Sequence, residues 1–142
     1  MKRYEVVQLE SPFGAPDAEG VIRNVAYGLV AMRDSLTRGE APFASHLLYT
    51  QMLDDTVPDE RTLGIYAGLA IGEAARATVV YNDLGISRGM QLGIDHAHTL
   101  ERPVRYRSLY PELTRIADLH QRILDDSPLS IETIRAVYAR TM

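Results

Sequence analysis

Short runs of β-forming residues alternate along this chain with segments of helical periodicity, and that alternation leaves few folds open. "YEVVQLE" (residues 4–10) is rich in β-formers and stops at "SPFGAP", which reads as a strand followed by a loop. In the next segment Val21, Val25, Leu29, Met32 and Leu36 recur every three or four residues, the spacing of an amphipathic helix, with Gly39 as its stop. "APFASHLLYTQ" reads as a short buried strand running into a helical turn. "DDTVPDERTLGIYAGLAIGEAARA" opens with Asp and Pro at helix-start positions and goes on with helical spacing. "TVVY" is a compact buried strand. "SRGMQLGIDHAHTL" is a helix with Ser87 as N-cap, and "RPVRYRS" is a fourth strand. "PELTRIADLHQRILDD" and "SPLSIETIRAVYAR" are two closing helices.

Strands that alternate with helices form parallel sheets covered on both faces. The expected fold is a three-layer α/β domain with a parallel sheet of four or five strands. It is one domain over residues 1–142, with residues 110–142 as C-terminal helices. The last helix is expected either to close the core or to serve as a contact between chains.

Composition narrows the function classes. The formal charge is −4, so the basic face of a general nucleic-acid binder is not expected. Cysteine is absent, which excludes disulfides and thiolate metal sites. No run approaches the ~20 apolar residues that span a bilayer, and the N-terminus has no apolar signal region. A cytoplasmic protein with no membrane association is the expectation. His96 and His98 lie two apart on a helix and point to different faces, so no metal site is expected, and no cofactor either. Asp54, Asp55, Asp59 and Glu60 form a helix-start cluster favourable to the helix dipole. A G-x-G-x-x-G loop and a phosphate loop of the G-x-x-x-x-G-K type are both absent.

In an open parallel sheet, ligands bind beyond the carboxyl ends of the strands. Three polar clusters fall at such ends here: Glu10-Ser11-Pro12-Phe13-Gly14, Ser45-His46, and Tyr81-Asn82-Asp83-Leu84-Gly85. Ser-Pro and Asp-x-Gly are also ordinary turn sequences. If the strands are adjacent, the clusters share one edge and make a pocket. Ser11, Pro12 and Phe13 then shape a loop over the ligand, and His46 and Asp83 supply polar or catalytic contacts. Gly85, Ser87, Arg88 and Gly89 offer a phosphate site at a helix start.

"ESPF", "RNVAYGLVAMRDSLTRGEAPFASHLLYTQ", "VVYNDLGISRGMQLGIDHA" and "RPVRYRSL" together resemble a family of mostly uncharacterised phage and bacterial proteins related to the nucleoside 2-deoxyribosyltransferases. The resemblance covers roughly residues 4–109 and implies a flavodoxin-like fold. It also implies a small-molecule nucleoside or nucleotide as partner, chemistry at the N-glycosidic bond, and self-association into a homo-oligomer. In that superfamily a Glu attacks the anomeric carbon. The "E-I-x-x-A" portion of its pattern falls on Gly93-Ile94-Asp95-His96-Ala97, so Gly93 stands at the nucleophile position. Two functions follow from the resemblance. One is an N-glycosidase or deoxyribosyltransferase-like enzyme that uses another carboxylate, Asp83 being the best placed of those at strand ends. The other is a non-catalytic nucleotide-binding or sequestering protein.

Overall fold

The computed structural model describes residues 3–142. Four strands, β1 (Glu5–Glu10), β2 (Glu40–Phe43), β3 (Ala77–Tyr81) and β4 (Val104–Arg107), form one sheet in the order β2-β1-β3-β4, every pair parallel. Helices α1 (Ala18–Thr37), α2 (Ser45–Leu48), α3 (Pro58–Gly72) and α4 (Arg88–Thr99) lie along the crossovers, and α5 (Ile116–Asp126) and α6 (Ile131–Val137) close the chain. The topology is flavodoxin-like, with four strands.

The helix boundaries follow local chemistry. Asp17 caps α1 by accepting the Gly20 amide at 2.8 Å, and Ser87 and Ser130 cap α4 and α6 in the same way. Pro58 opens α3, where its missing N–H costs nothing. The segment expected to begin the fifth helix at Pro111 is turn until Arg115, so α5 is shorter than its periodicity suggested.

The two faces of the sheet differ in chemistry. Successive residues of a strand point to opposite faces. Val7 and Leu9 of β1 and Ala77, Val79 and Tyr81 of β3 join Val21, Val25 and Tyr27 of α1, Ile123 of α5 and Ile134 of α6 in the main core. The helix α6 is therefore the last layer of this core, with Tyr138 just beyond it donating to the Leu47 carbonyl at 2.7 Å. On the other face, under α3 and α4, Val80, Met90 and Ile94 make only a small apolar cluster. Beside it lie Gln8, Glu10 and Thr78, all buried and all polar.

Ion pairs from Arg107 and Arg105 of β4 to Glu40 of β2 tie the outer strands together across the sheet. Arg107 of β4 grips Glu40 of β2 with two contacts of 2.7 Å, and Ser35 donates to the same carboxylate. The bidentate guanidinium holds the Glu40 carboxyl below the usual range, with the Ser35 hydroxyl assisting against the effect of burial. Among the described residues, no helix is long and apolar enough to cross a membrane.

Candidate functional site

A cavity of about 340 Å³ opens on the polar face of the sheet, at the carboxyl end of β1. That is within the range of small-molecule sites, roughly 300–1,000 Å³. Its floor is Gln8, Glu10 and Ser11. One wall is the segment after β2, from Ser45 through Thr50. The others are the inward stripe of α3 and the first two turns of α4. In the order β2-β1-β3-β4 the winding reverses at β1, the place where α/β sheets put their ligands.

The most perturbed group in the cavity is Glu10. It is only 9% exposed, at the last position of β1. Burial pushes its carboxyl up to about 8, against the smaller opposing effects of a hydrogen bond from Gln8 and the charge of Arg102. The space for this carboxylate comes from a glycine. A Cβ placed on Gly93 would overlap it, standing 2.5 Å from Glu10 Cδ and closer still to Oε2. A second glycine, Gly72 of α3, plays the same part for Gln8, whose Oε1 would lie 2.7 Å from an added Cβ. That Oε1 is buried without a hydrogen-bond partner. Arg102, 8% exposed, donates to Thr78 Oγ1 at 3.1 Å and to the carbonyls of Gly72 and Ala75 at the end of α3. Its cation is thereby committed to the α3 terminus. Gly93→Ala is expected to cost about 1–3 kcal/mol, since the Glu10 carboxylate must leave its place; a lowered urea midpoint measures it.

Ser11 and His46 meet at the adjoining edge, with Oγ and Nε2 2.7 Å apart. Burial drives the imidazole down to about 4, so it is neutral at physiological pH and serves as a hydrogen-bonding group rather than a cation. At the mouth, Arg61 pairs with Asp55 at 2.7 Å, and Glu60 accepts the Asp54 amide at 3.2 Å. Arg88 and Gly89 stand in the first turn of α4, above its Ser87 cap.

Of the residues singled out in the sequence, Ser11, Phe13, His46, Ser87, Arg88 and Gly89 line this cavity; Pro12, Gly85 and Asp83 are not among its lining residues. Asp83 belongs to the α1 side of the sheet. Its carboxylate accepts from the Tyr27 hydroxyl at 2.6 Å, from the Leu109 and Tyr110 amides at 2.7 and 3.0 Å, and from the Ser108 hydroxyl. Burial would raise its carboxyl, but the donors of Ser108, Tyr27, Leu109 and Tyr110 outweigh burial and hold it below the ordinary carboxylate range. These bonds fasten the segment after β4 to the end of β3. Gly85 sits in the same turn, with a φ of 87° that suits glycine alone.

Sequence reasoning placed Glu10 near a strand end but gave it no role. The available signal was parity: in "VVQLE" the polar pair Gln8 and Glu10 recurs at period two inside a strand buried on both faces. It also passed over Arg61 and the α3 glycines spaced four apart, of which Gly64 and Gly68 line the cavity and Gly72 packs on Gln8.

Comparison with curated proteins and with solved structures finds no match. Residues 5–107, which span all four strands and the whole cavity lining, match one family, and the chain belongs to it: DUF7768, a domain of unknown function.

Proposed function

We propose that this chain binds a nucleoside or nucleotide in the cavity beside β1 and acts on its N-glycosidic bond. The observation that carries the reading is the cavity itself. It joins a buried carboxyl, a neutral Ser11–His46 pair and a helix start bearing Arg88 in one enclosed space. Such a combination suits a ligand with a sugar, a planar base and an optional phosphate. Neutral donors and acceptors reach hydroxyls and base edges, while the α4 start and Arg88 suit an anion. The resemblance to relatives of the nucleoside 2-deoxyribosyltransferases points to the same ligand class. In this reading Ser11 and Phe13 shape the sugar or base subsite, His46 is a polar contact, and Ser87, Arg88 and Gly89 face a phosphate.

A second reading is a nucleotide-binding or sequestering protein without turnover. It is favoured by Gly93, which has no side chain at the position where the resembling superfamily carries its nucleophile.

A panel of deoxynucleosides, ribonucleosides and their 5′-monophosphates tests both. A ligand that binds only the folded state raises the melting temperature by an amount set by its concentration over Kd, about 2.7 kcal/mol of stabilisation at a hundredfold excess. Melting is expected to rise for some members, and chromatography is expected to show free base released from them. Stabilisation without base release supports the sequestering reading. A panel that neither stabilises the protein nor loses base removes both.

A further inference from the structure

We propose that Glu10 is the catalytic acid of this cavity and that the reaction is hydrolysis, with no covalent bond between sugar and protein. The proposal rests on the nucleoside reading above and assigns its chemistry. Three observations converge on Glu10. It lines the cavity while almost wholly enclosed by protein. Its carboxylate fills the volume that a side chain on Gly93 would need, so the glycine in α4 admits an acidic group from strand β1 at that point of the cavity. Its neighbour Gln8 lies in the same floor and donates a hydrogen bond to it, which fixes the carboxyl group in place.

The charged groups around Glu10 do not ionise it. From the loop before β4, Arg102 bears on it but is spent on Thr78 and the α3 carbonyls. From α2, His46 is neutral. From α3 and the loop before it, Arg61 is paired with Asp55, and the Glu60 carboxylate is bonded to the Asp54 amide. From α4, Arg88 stands exposed at the outer end. A carboxyl pushed up to about 8 holds its proton at neutral pH. In that form it is a proton donor and a poor nucleophile.

The bond between the anomeric carbon and the base nitrogen breaks, and its electron pair stays on the nitrogen, which takes the Glu10 proton. A water oxygen bonds to the anomeric carbon, and one of that water's protons returns to Glu10. Nucleoside and water become free base and sugar, and the acid is regenerated. The positive charge that develops on the sugar ring is met by the Glu10 carboxylate left by the first proton transfer.

The test uses the full chain and the nucleosides and monophosphates of the panel. Glu10→Gln is expected to lower kcat for base release at least 100-fold, with KM changed less than threefold. The wild-type rate is expected to fall as pH rises through about 8. A second, isotopically labelled free base is expected to stay out of the nucleoside pool. Carbon NMR of the labelled Glu10 carboxyl, which needs no turnover, is expected to show titration near 8. Glu10→Gln that keeps more than a tenth of the rate overturns the assignment and leaves the nucleoside reading standing. Exchange of labelled base, or a Glu10 titration in the ordinary carboxylate range, does the same. Absence of base release by the wild-type chain overturns the assignment together with the enzymatic reading.

Discussion

Glu10→Gln is expected to make the protein more stable while disabling its chemistry. The folded chain binds a proton at Glu10 that the unfolded chain sheds above 4.5, so this residue's contribution is complete below 4.5 and is lost as pH rises through about 8. At pH 7 the difference amounts to on the order of 3 kcal/mol, at 1.36 kcal/mol per unit of pH. Glutamine removes that cost with nearly the same shape, and its carbonyl oxygen can keep the hydrogen bond from Gln8. For a chain of this length the gain corresponds to about 6–12 °C in Tm. The pH dependence isolates the cause. Burial drives His46 down to about 4 from 6.5, so its contribution is present above 6.5 and is lost as pH falls toward 4, opposing Glu10 in that window. Between 6.5 and 8 Glu10 acts alone of the two. Wild-type stability is expected to fall there by about 1.4 kcal/mol per pH unit, and the Gln variant to stay flat. Urea midpoints at pH 6.5, 7.25 and 8 measure both. A variant no more stable than wild type at pH 8 would show that Glu10 is ionised in the folded state.

A gain in stability on removing a functional group is the usual mark of a site maintained against the interests of the fold. The two faces of this sheet make the contrast plain. The face under α1 is apolar, from Val7 and Leu9 to Ile123 and Ile134. The face under α3 and α4 buries Gln8, Glu10, Thr78 and Arg102, and α3 presents Gly64 and Gly68 to the cavity and Gly72 to the Gln8 side chain in place of packing side chains. On its outer side α3 leaves Leu63 and Tyr66 exposed, so apolar residues lie around much of its circumference.

That distribution explains what could be read from the sequence. β1 and β3 were legible because β-formers run between turn signals, β2 (EAPF) only as a short apolar run before a helical turn, and the sheet's parallel order followed from the alternation of strands with helices. The Ser11–His46 meeting was legible because both residues follow the ends of adjacent strands. Asp83 was harder. An acidic residue at a strand end looks the same in sequence whether it faces a cavity or a loop; its partners Tyr27, Ser108, Leu109 and Tyr110 come from 25 to 56 positions away. Strand parity carried the answer. Glu10 lies on the even face with Gln8, and Asp83 continues past Tyr81 on the odd face with Leu9 and Val79. Gly93 was legible as a missing side chain, but only packing shows that another strand fills the space.

Asp83→Ala is expected to cost stability and leave the chemistry of the cavity intact. The substitution strands the Tyr27 and Ser108 hydroxyls and two amides that now share one carboxylate. A charge-assisted hydrogen bond contributes roughly 1.5–3 kcal/mol, and at this half-buried position some of the freed donors regain water, so a loss of about 3–4 kcal/mol is expected. Tyr27 is fully buried, and its hydroxyl has no route to water without movement of the loop that follows β4. Because the folded carboxyl titrates below the usual range, the stabilisation is complete above about pH 4 and disappears as pH falls through the lowered value. The stability difference between wild type and variant should therefore be full at pH 6 and narrow as pH falls through that lowered value. The folded variant should retain base release within about threefold, against the 100-fold loss expected for Glu10→Gln. Base release abolished in a fully folded Asp83→Ala protein would place the reacting group on the α1 side of the sheet and remove Glu10 from the role. Equal urea midpoints for variant and wild type at pH 6 would instead show that the four donors find water, and that the loop after β4 is held by its other anchors, among them the buried Tyr110 and its bond to Asp126.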